Sequence, residues 1–173
     1  MSLSLKTSAL LVAAVALSAC SATNDRLSTQ APATSNAGIA SGPLGDPTDP
    51  SSVAYFNQTI GDRVLFAVDQ HTLTPQGETA LTQQANWLAT NPEYAAVIEG
   101  HADEQGTREY NLALGARRAS SVQNYLIAQG VAPSRLRTVS FGKERPIEVC
   151  SDEACYSQNR RAVTILSAGN VGF

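Results

Sequence analysis

The sequence is poor in the residues that most catalytic and metal sites need. Its 173 residues include two histidines, three cysteines, one tryptophan and one methionine, which leaves little material for a multi-ligand metal centre. It has no excess of positive charge: 12 Lys+Arg face 15 Asp+Glu, a formal net charge of −3. That balance excludes the electrostatic footprint of a nucleic-acid binder. Nor is there a long hydrophobic run. The one candidate, Ser8 to Ala19, falls short of the roughly 20 residues that span a bilayer. With 43% hydrophobic residues the chain is nonetheless no disordered polyelectrolyte. Its length suits one domain with additional chain at the ends.

What is present begins with an address. Lys6 precedes the apolar stretch, which ends in Leu17-Ser18-Ala19-Cys20. This is signal-peptide anatomy, so residues 1–19 are set apart from the fold. The small residues before Cys20 resemble the lipobox of bacterial lipoproteins, and the alternative is an ordinary cleaved signal with an incidental cysteine. The lipobox resemblance implies acylation of Cys20 and a multi-chain anchor, each buried CH₂ contributing roughly 0.8 kcal/mol. Ser21 stands where an Asp would imply retention in the inner membrane, so the resemblance points to the outer membrane, with the remaining chain in the periplasm. No membrane span is expected beyond this anchor.

From Cys20 to Ser52, 24 of 33 residues are Ser, Thr, Ala, Gly, Pro or Asn, and no aromatic residue occurs before Tyr55. Such a stretch buries too little apolar surface to offset its ordering entropy, so residues 20–52 read as a disordered tether. As a coil it reaches roughly 30 Å, and about 110 Å fully extended.

Residues 53–173 hold every aromatic side chain and are expected to form the single folded domain. A helical turn is expected near Ser52 to Thr59, then a strand over Arg63 to Val68. Thr74-Pro75 caps a helix that Asn91-Pro92 ends. Tyr94 to Glu99 reads as a second strand. A long helix is expected over Glu109 to Gln129, its buried stripe formed by Leu112, Ala116, Ala119, Val122 and Leu126. Arg137–Phe141 and Ala162–Leu166 complete a βαβαββ series. The predicted fold class is α+β, a two-layer α/β sandwich with helices on one face of a mixed sheet.

The second strand runs into GHADEQGTREYNLALGARRA, and VSFGKERP and YSQNRRAV follow in order. Behind a lipobox, these segments over about residues 60–167 resemble the OmpA-like peptidoglycan-binding domain family. The resemblance implies non-catalytic binding of the peptidoglycan stem peptide and a role in tethering the outer membrane to the cell wall. It further implies participation in the Tol envelope system, through the periplasmic β-propeller protein of that system, in support of envelope integrity and constriction at cell division. By position in the family motif, Asp103 matches the acid that takes the diaminopimelate ammonium and Arg118 the base that takes its carboxylate. Leu114, one turn before Arg118, shares that groove. Phe66 and Asp69 match the frame at the end of the first strand, where Ala67 replaces an expected Asp.

The residues themselves fit that chemistry. A zwitterion on a single carbon calls for one carboxylate and one guanidinium, whose planar fork can donate two parallel hydrogen bonds. A purely structural Asp103–Arg118 ion pair is the alternative reading. Arg117 and Arg118 cannot both face the groove, and the motif selects Arg118. His101 has no metal-ligand partners at suitable spacing and is expected to be a hydrogen-bonded structural residue. Asn159-Arg160-Arg161 resembles the family's motif at the last strand, and could complete the groove electrostatically or anchor that strand. In an oxidising compartment Cys150 and Cys155, spaced C-x₄-C in a polar loop, are expected to pair as a disulfide. No cofactor or metal is expected. A periplasmic peptidoglycan hydrolase is the enzymatic alternative, although no nucleophile stands with a positioned His and third residue. An OmpA-like lipoprotein of a secretion machine is the other.

Overall fold

The computed structural model describes residues 44–168. The signal peptide, the lipobox with Cys20 and most of the expected tether lie outside the described residues. Residues 44–52, expected to belong to the tether, form turns against the domain instead. Asp46 and Asp49 accept from the backbone of Thr48 and Ser51, as short acidic side chains do in Asx turns. The Trp87 indole donates to the Pro50 carbonyl at 2.7 Å. A buried indole N–H needs a partner, and this one is found upstream of the boundary that composition suggested.

Ser52 caps a short helix, α1 (Val53–Tyr55), which widens into a π-helical turn over Phe56–Gly61. Four strands follow, β1 (Arg63–Leu65), β2 (Tyr94–His101), β3 (Leu136–Gly142) and β4 (Arg161–Ala168). Helix α2 (Pro75–Thr90) joins β1 to β2, and α3 (Arg108–Ala128) joins β2 to β3. Helix α2 begins at the expected Thr74 cap, whose side chain accepts from Gly77, and α3 begins at Thr107, whose side chain accepts from Tyr110. A 3₁₀ turn, Pro133–Arg135, precedes β3. The sheet order is β1-β4-β2-β3, with β2 and β3 parallel and the β1–β4 and β2–β4 pairs antiparallel. The βαβαββ series and the mixed sheet match the expectation.

Three details differ. The first strand stops at Leu65 rather than Val68: Phe66 makes one more bond in register, its N–H donating to the Arg160 carbonyl, and the chain then turns, the Gln70 N–H donating to the Ala67 carbonyl. The segment expected as a polar loop around the cysteines contains a helix, α4 (Glu153–Asn159), started by Asp152, which accepts from Ala154 and Cys155. An Asp N-cap in a polar sequence was the available signal. Third, the buried stripe of α3 consists of Asn111, Leu114, Gly115, Arg118, Ala119, Val122 and Leu126. Leu112, 45% exposed, and Ala116 face away from it. Apolar periodicity could not find a face that includes a buried Asn and Arg.

Alternate positions of β1, β4 and β2 supply Val64, Ala162, Leu166, Ala96 and Ile98 to a core completed by Leu81, Ala85 and Leu88 of α2 and Ala119, Val122 and Leu126 of α3. Phe56 and Tyr94 pack at 5.0 and 5.1 Å from the Trp87 ring. The opposite sheet face, where Arg63, Val163, Glu99 and Val139 lie side by side in register, carries neither α2 nor α3.

Helix α3 rests on β2 backbone to backbone. A Cβ placed on Gly100 would lie 1.9 Å from the Gly115 carbonyl oxygen, and one on Gly115 would lie 2.7 Å from the Gly100 oxygen. This contact fixes where the first half of α3 meets the strand ends. Gly100→Ala should therefore force helix and strand apart, at a cost of about 3 kcal/mol, and lower Tm by about 10 °C. Thermal denaturation followed by circular dichroism measures this, and an unchanged Tm would contradict the close approach.

Candidate functional site

The site lies where β1 and β2 end and α3 passes over them. Arg118 is at its centre, with 0% of its surface exposed. Its Nε donates to the Gln70 carbonyl at 2.8 Å, Nη1 to the His101 carbonyl at 2.8 Å, and Nη2 to the Ala67 carbonyl at 3.2 Å. The Phe66 ring lies 5.2 Å from its Cζ, within cation–π range. Burial pushes the Arg118 pKa down to about 10, an effect that Asp103 partly opposes and Arg160 adds to. The guanidinium is thus a buried cation held by neutral carbonyls, still charged at neutral pH.

Asp103 follows β2 by two residues and is also buried. Its ion pair is with Arg160 at 3.2 Å, not with Arg118, so the structural pair considered from sequence is not the one formed. Its other oxygen accepts from the Gln105 N–H at 3.3 Å. Arg160 in turn donates through Nε to the Phe66 carbonyl at 3.2 Å and through both Nη atoms to Glu153 of α4. The Arg160 pKa is raised, first by Glu153 and then by Asp103, against burial. Sequence pointed to the Asn159-Arg160-Arg161 motif without selecting Arg160 from it, whereas Glu153 carried no signal because its helix was read as loop.

The remaining expected residues fall around this centre. Phe66 and Leu114 are buried, and Leu114 stands outside the main apolar cluster. Asp69 is exposed at the rim, with φ +57°, and accepts from the Tyr110 hydroxyl. Tyr110 was not singled out by sequence. Arg117 points to solvent beside the Tyr110 ring. The replacement at Ala67 leaves its carbonyl in the site. One expectation is modified: Arg118 does not line an open groove but lies beneath the loop that carries Ala67 and Gln70. Asp103, Arg118, Leu114 and Phe66 come together, Asp69 borders them, and Cys20 lies outside the described residues.

Cys150 and Cys155 are joined in a disulfide with their Cα atoms 5.8 Å apart. Among the described residues the group close enough to hold a metal is Cys150, Asp152 and Cys155, and its two sulfurs are bonded to each other. Asn159 ties the same region together. Its Oδ1 accepts from Ile147 and Glu148, and its Nδ2 donates to Glu104 and to the Glu148 carbonyl.

Comparison with known proteins matches this arrangement to one family. The OmpA family matches residues 65–160. The peptidoglycan-associated lipoprotein of Mesorhizobium japonicum is 56% identical over 118 residues, covering 68% of this chain and 70% of that one. The chain belongs to the OmpA family and, within it, to the peptidoglycan-associated lipoproteins. The lipoprotein of the same description from Agrobacterium fabrum is 50% identical over 122 residues, covering 70% of this chain and 69% of the relative. Among solved structures, the peptidoglycan-associated lipoprotein of Burkholderia pseudomallei superposes with a TM-score of 0.63 at 37% identity, over 73% of this chain and 100% of that one. The C-terminal domain of Helicobacter pylori MotB, at 21% identity and a TM-score of 0.58 over 62% of this chain and 84% of that one, shares the fold alone. Membership in the peptidoglycan-associated lipoproteins makes this a binding protein, and the hydrolase reading is set aside.

His101, whose carbonyl holds Arg118, has a buried ring stacked 5.6 Å from Phe141. The expectation of a hydrogen-bonded histidine is corrected: neither ring nitrogen has a partner among the described residues, and Glu99 Oε2 lies 3.6 Å from Nε2. Burial, reinforced by Arg161 and Arg145, lowers its pKa to about 4. An unfolded histidine titrates near 6.5, so between pH 6.5 and about 4 the unfolded chain binds the additional proton. The stability due to the neutral ring is therefore complete above pH 6.5 and lost as pH falls to about 4. That loss amounts to roughly 3 kcal/mol. Urea denaturation across this range should show it, and His101→Gln should flatten the curve by that amount; a variant with the wild-type slope would contradict the assignment.

Proposed function

We propose that this chain binds the diaminopimelate side chain of the peptidoglycan stem peptide without covalent chemistry and ties the outer membrane to the wall through a lipid on Cys20. The observation that carries the reading is the pair of incompletely used charges at the centre of the site. A guanidinium has five N–H donors, and Arg118 uses three of them on carbonyls. A carboxylate offers about four acceptor positions, and Asp103 fills two, both at 3.2 Å or more. A zwitterion that presents ammonium and carboxylate on one carbon supplies a partner for each. Because Arg118 is covered, the ligand carboxylate reaches its two remaining donors only if the loop over residues 67–70, which is exposed throughout, gives way locally.

The same surface is where we place contact with the Tol system, through its periplasmic β-propeller. Exposed Val68 and Tyr110 on one side and Ile147 and Val149 on the other support a protein partner, since apolar residues grouped around a polar centre suit an interface. The role in envelope integrity and constriction at cell division follows from holding wall, membrane and Tol system together.

The reading is tested by ligand charge. Diaminopimelate differs from lysine at this stem position by the distal carboxylate. Loss of one charge-assisted contact should weaken a lysine-type muropeptide by roughly 1.5–3 kcal/mol, or about 10- to 150-fold. Arg118→Leu should erase that preference, and Asp103→Asn should weaken both ligands. Calorimetry with both muropeptides measures this, and equal wild-type affinities would remove Arg118 from its role. For the anchor, Cys20→Ala should release the protein from outer-membrane fractions freed of peptidoglycan. Retention there would overturn lipid attachment at that cysteine.

A further inference from the structure

Asp103 can receive an ammonium only if the cation already beside it does not hold it fully, and the structure shows what restrains that cation. Arg160 is buried and its Nε is fixed on the Phe66 carbonyl, so the guanidinium can pivot but not leave. Its forked end stands between two carboxylates. Both Nη atoms donate to Glu153, Nη1 at 3.3 Å and Nη2 at closer range, whereas Asp103 receives only Nη1, at 3.2 Å. A guanidinium facing one carboxylate ordinarily engages it side-on with two parallel bonds. Here Glu153 takes that geometry and leaves Asp103 the single shared contact.

Glu153 is itself held in position. It occupies the first turn of α4, where the Asp152 side chain accepts from Ala154 and Cys155. The Cys150–Cys155 disulfide closes the chain across that turn. Asn159 at the other end of α4 accepts from Ile147 and Glu148. The Glu153 side chain is nevertheless 65% exposed, so its substitution removes a charge without opening the core.

We propose that Glu153 is a positioning residue that draws the Arg160 guanidinium away from Asp103 and thereby keeps the Asp103 carboxylate available to the ligand ammonium. This rests on the reading of Asp103 as the ammonium acceptor. Without Glu153, Arg160 turns both Nη groups onto Asp103, and an incoming ammonium must displace a two-bonded partner. The disulfide and the Asp152 cap then belong to the binding mechanism as well as to the fold, since they hold Glu153 where Arg160 can reach it.

The experiment uses the mature domain and two synthetic stem tripeptides, one with diaminopimelate and one with lysine at the third position. Both carry the ammonium. Glu153→Gln should weaken both by about 10-fold, leave the preference between them intact, and leave Tm unchanged. Adding Arg160→Gln to that variant should return affinity to within about 3-fold of wild type, because the competitor for Asp103 is gone; mere loss of a structural contact would not be rescued by a second deletion. Wild-type affinity in Glu153→Gln, or a double variant as weak as the single one, overturns the proposal. Should the double variant fail to fold, the Asp103→Asn background replaces it. There Glu153→Gln should have no further effect, and a further tenfold loss overturns the proposal. If the wild type binds neither tripeptide, the function reading itself falls and this inference with it.

Discussion

A guanidinium without exposed surface, held by three carbonyls from two separate segments, is the constraint on which the rest of this structure depends. Removing a cation from water is expensive unless it is paired and hydrogen-bonded. Among the described residues no carboxylate forms an ion pair with Arg118, so its compensation comes from the Gln70, His101 and Ala67 carbonyls and the face of Phe66. The end of β1, the end of β2 and the middle of α3 must therefore be in register with one another before Arg118 can be buried at all. The chain turns directly after Phe66, whose N–H makes the last bond to Arg160 in the β1–β4 register, and the turn brings the Ala67 and Gln70 carbonyls to Arg118.

Delivering that side chain to the strand ends requires α3 to lie unusually close to the sheet. Gly100 and Gly115 permit the approach, and β3 reinforces it. The Ser140 hydroxyl donates to the Leu112 carbonyl at 2.6 Å, and a Cβ on Gly142 would stand 2.8 Å from the Leu112 nitrogen. Contact through backbone leaves no volume for a side chain at position 115, and the buried face of the first half of α3 is Asn111, Leu114, Gly115 and Arg118, while Val122 and Leu126 pack conventionally further along. The helix has two kinds of interface in sequence, a polar one that builds the site and an apolar one that builds the core.

That division explains what was legible in the amino-acid sequence. The elements were readable because Thr74-Pro75 and Asn91-Pro92 mark helix ends with ordinary chemistry, and because apolar periodicity holds wherever packing is apolar. It failed in α3 at Leu112 and Ala116, where the buried face is polar and hydrophobicity points to the wrong side. The family motif located Asp103 and Arg118, but residue type and spacing could not reveal that Asp103 pairs with Arg160 while Arg118 faces carbonyls. That is decided by tertiary contacts 57 and 51 residues apart in sequence. Likewise, nothing local in Ser51-Ser52 or Pro50 indicates that Trp87 will seek a carbonyl there. The turns over residues 44–52 follow from distant donors and not from composition.

On the proposed reading, the charge arrangement sets what the site discriminates. Arg118 and Arg160 stand against Asp103 and Glu153, so the buried centre and its immediate surround are balanced before any ligand arrives. A zwitterion adds one charge of each sign and leaves that balance unchanged, whereas a simple cation or anion would leave an unpaired charge in a poorly solvated place. On that reading, selectivity then rests on the ligand bringing both charges at the separation the site holds. A rigid arrangement is the natural way to read separation, because a flexible one would adjust to either ligand. The Gly100–Gly115 contact fixes Arg118, the short connection from β2 fixes Asp103, and the capped, disulfide-closed α4 fixes the counter-charge of Arg160. Each charge is thus positioned by a different element, and the distance between them is a property of the whole fold.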